Sequence, residues 1–169
     1  MPTFDLELIV RAPVELCFDI GLDIELHLDC FKDHGERAVA GVTSGRLGPG
    51  DWVTWEARHL GLRRRLTNQI TRYDRPHMFQ DETIRGAFHR FSHLHLFESV
   101  PEGARLREHL EYESPLGWAG RLADRLFLER YLKALVHKRA AYLRQVAERL
   151  AKEQSSRLEG GGTEHGRRV

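Results

Sequence analysis

Between Gly120 and Lys152 the apolar residues return at steps of three and four: Leu128, Tyr131, Leu132, Leu135, Tyr142, Leu143, Val146 and Leu150. That period draws one stripe along a helix, with Arg125, Lys133, Lys138, Arg144 and Arg149 free to point elsewhere. The stretch holds no proline, and Leu, Ala, Arg, Lys and Glu dominate it, which favours helix. At ~1.5 Å per residue the helix is about 45 Å long, so its stripe needs a long partner surface.

The rest of the chain alternates with a period of two. Phe4, Leu6, Leu8 and Val10 oppose Asp5, Glu7 and Arg11, which predicts a strand with one wet face. Pro13 then opens a short helix as its first residue, Gly21 breaks it, and Leu22 to Phe31 forms a second. Glu36–Val42 reads as the next strand. Thr43–Asp51 (TSGRLGPGD) is a turn; it lacks the Lys-Ser/Thr ending of a phosphate loop and leads into a strand.

From Asp51 to Ser114 five strands follow, separated at Gly61, Asp74-Arg75-Pro76, Gly86 and Pro101-Glu102-Gly103. The last is the cleanest: Ala104, Leu106, Glu108, Leu110 and Tyr112 against Arg105, Arg107, His109, Glu111 and Glu113. Hairpin-sized loops imply antiparallel pairing, and a helix placed after all the strands gives an α+β fold. The expected architecture is a curved antiparallel sheet of about seven strands, with two short helices after the first and the long helix across the concave face. Residues 1–152 make one domain, and 153–169, with three consecutive glycines, a disordered tail.

Composition narrows the function classes. Apolar residues are 41% and charged residues 30%, as in a globular protein, and no apolar run nears the ~18 residues of a membrane span. Acidic residues sit where a signal peptide is basic, so a cytoplasmic location is expected. A net charge of +1 gives no general pull towards nucleic acid. Cys17 and Cys30 form no CxxC, and reduced, buried thiols are the expectation.

The chemistry lies in polar residues that share apolar faces. His59 is in phase with Val53 and Trp55, Asn68 with Leu66 and Ile70, Asp81 with Phe79, and Glu108 with Leu106, Leu110 and Tyr112. Inside a sheet Glu108 needs a cationic or donor partner. His93 and His95 share a face with Phe91 and Phe97, but Leu94 and Leu96 oppose them, so both facings of that strand remain open. The two histidines could reach an ion with Glu108 or Asp81, but the spacing alone assigns no metal, and no cofactor is assigned. No GxSxG or other nucleophile motif is present. Arg63, Arg64 and Arg65 split two outward and one inward on a strand, as a solvated edge or a contact for an acidic partner.

The order of elements resembles the helix-grip fold of the SRPBCC (START and Bet v 1-like) superfamily. The segments APVELCFDI, GDWVTWEARHLGLRRRLTNQITRYDRP, FQDETIRGAFHRFSHLHLF and LEYESPLGWAGRLAD are similar to bacterial members of the polyketide cyclase/dehydrase-like and coenzyme Q-binding-like groups, over about residues 3 to 150. The resemblance implies an apolar pocket beneath the C-terminal helix. Three functions are compatible with it. The first is binding or transport of a small hydrophobic ligand such as a lipid, quinone or polyketide-like molecule. Trp55, Leu66, Ile70, Phe79, Phe91, Phe97, Leu106, Leu110 and Tyr112 would then line the pocket, Tyr131 and Leu135 cover it, and His93, Asp81 and Glu108 fix one polar end. The second is a cyclase or dehydratase working by general acid–base chemistry through His59, His93, Asp81 or Glu108. The third is an interaction module with a closed cavity. The chain is expected as a monomer or homodimer.

Overall fold

The computed structural model describes residues 2–59, 61–86, 88–113 and 127–160. Its elements are β1 (Thr3–Val10), α1 (Val14–Gly21), α2 (Ile24–Cys30), a 3₁₀ turn (Lys32–His34), β2 (Arg37–Gly41), β3 (Trp52–His59), β4 (Leu62–Asp74), β5 (Met78–Arg85), β6 (Arg90–Val100), β7 (Gly103–Glu113) and α3 (Glu129–Gly160). The strands form one seven-stranded sheet in the order β1-β7-β6-β5-β4-β3-β2, antiparallel at every junction. It is therefore a meander from β2 to β7, with β1 added beside β7. Register shifts leave one extra residue each on β2 (Val39), β4 (Thr71) and β5 (Ile84), where the strands bend. The sheet is curved, and the long helix lies across it, as the sequence order predicts.

Local chemistry sets the helix starts. Pro13 stands one position before the place the sequence suggested: it is the N-cap, extended at ψ 144°, and its carbonyl accepts the Cys17 N–H at 3.1 Å. α2 is shorter than Leu22–Phe31, because Asp23 caps it by accepting the Leu26 N–H at 2.9 Å. At the other end, α3 runs through Gly160, eight residues beyond Lys152. Ser155 and Ser156 turn their hydroxyls back onto the carbonyls of Ala151 and Lys152, so they do not break the helix. The expected breaker Ser114–Gly117, the helix start at Gly120 and the tail residues 161–169 lie outside the described residues.

Three apolar clusters build the interior. Phe18 of α1 meets Tyr73, Phe79 and Phe97 edge-on, and Leu143 and Ala147 of α3 close that cluster. Phe4, Leu110 and Tyr112 pack with Leu132 and Val136 of α3, and Ile24 of α2 packs with Val53 and Trp55. The buried line of α3 is Leu132, Val136, Ala140, Leu143, Val146 and Ala147. It is smaller in side-chain volume than the stripe read from the sequence: Tyr131, Leu135 and Tyr142 flank it half-buried, while Val136, Ala140 and Ala147 are buried. α3 packs on α1, α2 and β1, and not broadly against the middle of the sheet.

Candidate functional site

Between the three clusters lies a cavity of about 340 Å³. Members of each cluster line it: Ile70 and Phe79, Leu110 and Val136, Val53 and Trp55. Leu66 and Phe91 add to the sheet side, and Tyr131, Leu132 and Leu135 present the helix side. Phe97, Leu106 and Tyr112, expected in the lining, are buried in the packed core and do not reach the cavity. Alternation put all three on the inner face correctly, but Phe97 and Leu106 lie towards α1, where Phe18 and its neighbours fill the space. Tyr112 lies in the cluster beneath Phe4 and Phe88. The His59 side chain lies outside the described residues.

One wall is polar. In the sheet register Asp81 of β5 sits opposite His93 of β6, and His95 opposite Glu108 of β7. β6 therefore turns its histidines inward: His93 is 6% exposed and His95 2%, while Leu94 and Leu96 lie half-buried on the outer face. His95 Nε2 is 3.3 Å from Asp81 Oδ1, and its Nδ1 is 3.5 Å from Glu108 Oε1. His93 Nε2 approaches Glu108 Oε2 at 3.2 Å, an ion-pair distance off the hydrogen-bond direction. The two rings are 3.9 Å apart between centroids, and His95 stacks on Phe79 at 4.3 Å.

Further polar residues hold these groups in place. Asn68 donates to Asp81 Oδ2 at 2.9 Å, and the Thr83 hydroxyl donates to Asn68 Oδ1 at 2.9 Å. Arg139 of α3, which also borders the cavity, lies 3.8 Å from Glu108 Oε1 and donates to the Gly21 carbonyl at 2.7 Å. Arg139 was missed in the sequence, although a signal was there. It falls on the helical line Leu132–Val136–Arg139–Leu143, and Glu108 required a cation. His27, stacked on Trp55 at 4.1 Å, and Phe31 are further lining residues contributed by α2 and its end. The arginine run splits as alternation requires: Arg63 and Arg65 join Arg37 around the buried Glu56 at 3.6, 2.8 and 3.1 Å, while Arg64 lies on the side of Ala57.

The electrostatics follow from burial and pairing. Burial pushes Glu108 up, but its contacts with His93 and His95 outweigh this and hold its carboxyl well below the usual range. Asp81 is likewise raised by burial but lowered more by the His95 hydrogen bond and the nearby cations. Burial pushes His95 down, yet Asp81 and Glu108 together raise it above an ordinary histidine. His93 is lowered, by burial and then by the charge of His95. The cluster thus sets two carboxylates against two imidazoles and the Arg139 guanidinium, with His93 bordering the cavity. Among the described residues, Asp81, His93 and His95 form the group whose metal-ligating atoms all fall within 4.8 Å of one another.

A family model described as polyketide cyclase / dehydrase and lipid transport matches residues 1–148. No curated protein matches the chain in sequence. Among solved structures, the protein TTHA0849 from Thermus thermophilus superposes with a TM-score of 0.70 at 22% identity, covering 85% of this chain and 95% of that one. The Zhui aromatase/cyclase from a Streptomyces species gives 0.70 at 13% identity over 88% and 94%. A START superfamily protein from Mycobacterium smegmatis gives 0.63 at 16% identity over 88% and 98%. At these identities the likeness is one of fold.

Proposed function

Because the chain belongs to the polyketide cyclase / dehydrase and lipid transport family, we propose that it binds one small, mainly apolar molecule with a polar group at one end. The observation that carries this reading is the cavity of about 340 Å³, apolar on most sides and bordered by Asn68, Asp81, His93 and His95 on one. A volume above ~300 Å³ with few convergent polar groups is typical of ligand sites. At about 30 Å³ per water-sized group, the guest has on the order of ten non-hydrogen atoms. That size suits one or two rings, or a medium-length chain, better than a whole phospholipid. Since each carboxylate of the polar wall already has histidine or arginine partners, a hydroxyl, ketone or quinone oxygen is a better match than an unpaired ionic head.

Native mass spectrometry of freshly purified protein is expected to show a co-purified adduct in this mass range, and a panel of ring compounds should raise the melting temperature. Protein that is repeatedly empty and unmoved by every apolar compound would refute the reading.

One observation favours a second role, cyclisation or dehydration of such a guest: His93 borders the cavity while its Nε2 faces the buried carboxylate of Glu108. A histidine held by a carboxylate is suited to moving a proton beside a carbonyl. Under this reading, His93→Ala abolishes turnover of a poly-carbonyl substrate while binding persists; unchanged turnover in that variant removes His93 from the role.

A further inference from the structure

The geometry points to a divalent metal site: we propose that Asp81, His93 and His95 hold a first-row transition ion such as Zn²⁺, Co²⁺ or Fe²⁺ at the polar end of the cavity. Two nitrogens and one carboxylate oxygen suit ions of borderline softness, and not Mg²⁺ or Ca²⁺, which take mostly oxygen ligands. The three ligand atoms already lie within 4.8 Å of one another. With metal–ligand bonds of ~2.0–2.1 Å, ligands of a tetrahedral ion stand roughly 3.4 Å apart. His95 Nε2 and Asp81 Oδ1 are separated by 3.3 Å, so an ion fits between them with little movement.

The surroundings supply what such ligands require. A metal-bound histidine usually gives its other ring N–H to a carboxylate, which fixes the ring and its tautomer. Here one carboxylate serves both rings: Glu108 Oε1 faces His95 Nδ1 at 3.5 Å, and Oε2 faces His93 Nε2 at 3.2 Å. That leaves His95 Nε2 and His93 Nδ1 as the ligating nitrogens. Asp81 is treated the same way, with Oδ2 held by Asn68 at 2.9 Å while Oδ1 faces His95 Nε2, where the ion would replace their direct contact. Arg139 in turn backs Glu108. Asp81, His93 and His95 border the cavity, whereas Glu108 does not, as expected if Glu108 orients the rings without itself reaching the ion. The remaining coordination positions face the cavity. This inference concerns the protein's own side chains and stands whether or not the cavity takes the guest proposed above.

The test is a titration of the full, tag-free chain with Zn²⁺ alone, read through competition with a chromogenic chelator. One equivalent is expected to bind, with no comparable binding of Mg²⁺. Asp81→Asn and His93→Gln, checked for folding by circular dichroism, should each weaken binding by more than tenfold, and Glu108→Gln by about 10–100-fold. His109→Gln, on the wet face of β7, should leave it unchanged. Co²⁺ should give visible bands of nitrogen and oxygen coordination without a thiolate charge-transfer band. A measurement on the unaltered chain protects the test against a variant that fails to fold. In nitrogen NMR spectra, one equivalent of Zn²⁺ should shift the imidazole nitrogens of two histidines, the β6 pair that faces Glu108 of β7. Absence of stoichiometric binding, equal binding in the folded variants, or shifts confined to other histidine rings would overturn the proposal.

Discussion

Glu108 is the residue whose loss should be felt most strongly. It is 5% exposed and stands between two histidines and an arginine, so removing it leaves buried donors without a partner. Glu108→Ala is expected to cost about 3–5 kcal/mol in urea denaturation. Glu111→Ala, three residues along on the solvent face, should stay within about 0.5 kcal/mol. The same contrast shows what was legible. The alternation of β7 places Glu108 inside without ambiguity. It cannot do so for His93 and His95, because β6 is apolar on both faces; their facing follows only from pairing with β7, whose own is clear. Arg139 was hidden for a related reason: a single cation among eight on a long helix is marked as buried only by the position of the carboxylate it meets.

At the scale of elements, one carboxylate ties three segments together. Asp19 of α1 takes Arg75 at 2.8 and 3.0 Å and Arg46 at 2.9 Å, joining the helix to the β4–β5 turn and the β2–β3 loop. The Arg75 hydrogen bond is the largest influence, and with the charges of Arg46 and Arg75 it outweighs the cost of burial and holds Asp19 below its ordinary value of 3.8. A carboxyl lowered in the folded state adds stability above that ordinary value, and the gain is lost as pH falls through the folded one. Asp19→Asn should therefore cost about 1 kcal/mol at pH 7, and the difference from the unaltered chain should shrink progressively as the medium is acidified below that ordinary value, as read by thermal melts across pH. Gly41 is a second constraint. Its φ is 75°, and a Cβ there would lie 2.2 Å from the Trp52 carbonyl oxygen, a backbone atom that cannot step aside. Gly41→Ala should destabilise by more than about 1 kcal/mol, and urea denaturation measures it. Neither feature was visible beforehand, since each depends on a partner from another segment.

For the whole molecule, the decisive fact is that α3 rests on α1, α2 and β1 and leaves space over the middle strands. Leu135 lines that space half-buried and belongs to none of the three packed clusters. Leu135→Trp should fill part of the cavity at little cost in stability and weaken binding of an apolar fluorescent probe at least tenfold. An unchanged probe affinity in the folded variant would show that the probe sits elsewhere. Among the described residues no helix is long and apolar enough to cross a membrane.

The amino-acid sequence by itself determined the order of elements, the antiparallel pairing, the inward faces of β1, β3, β4 and β7, and the presence of a buried acid in need of a partner. These follow from local rules: a period of two or of 3.6, glycine and proline at turns, and the cost of an unpaired charge in an apolar layer. Tertiary structure alone decided which inward residues border empty space and which are packed solid, since Phe79 and Phe97 share the same pattern yet only one reaches the cavity. It also decided that Asp81, His93, His95 and Glu108, spread over three strands, meet within a few ångströms. Register and curvature set those distances, and both arise from contacts between segments far apart in the chain, which no local period records.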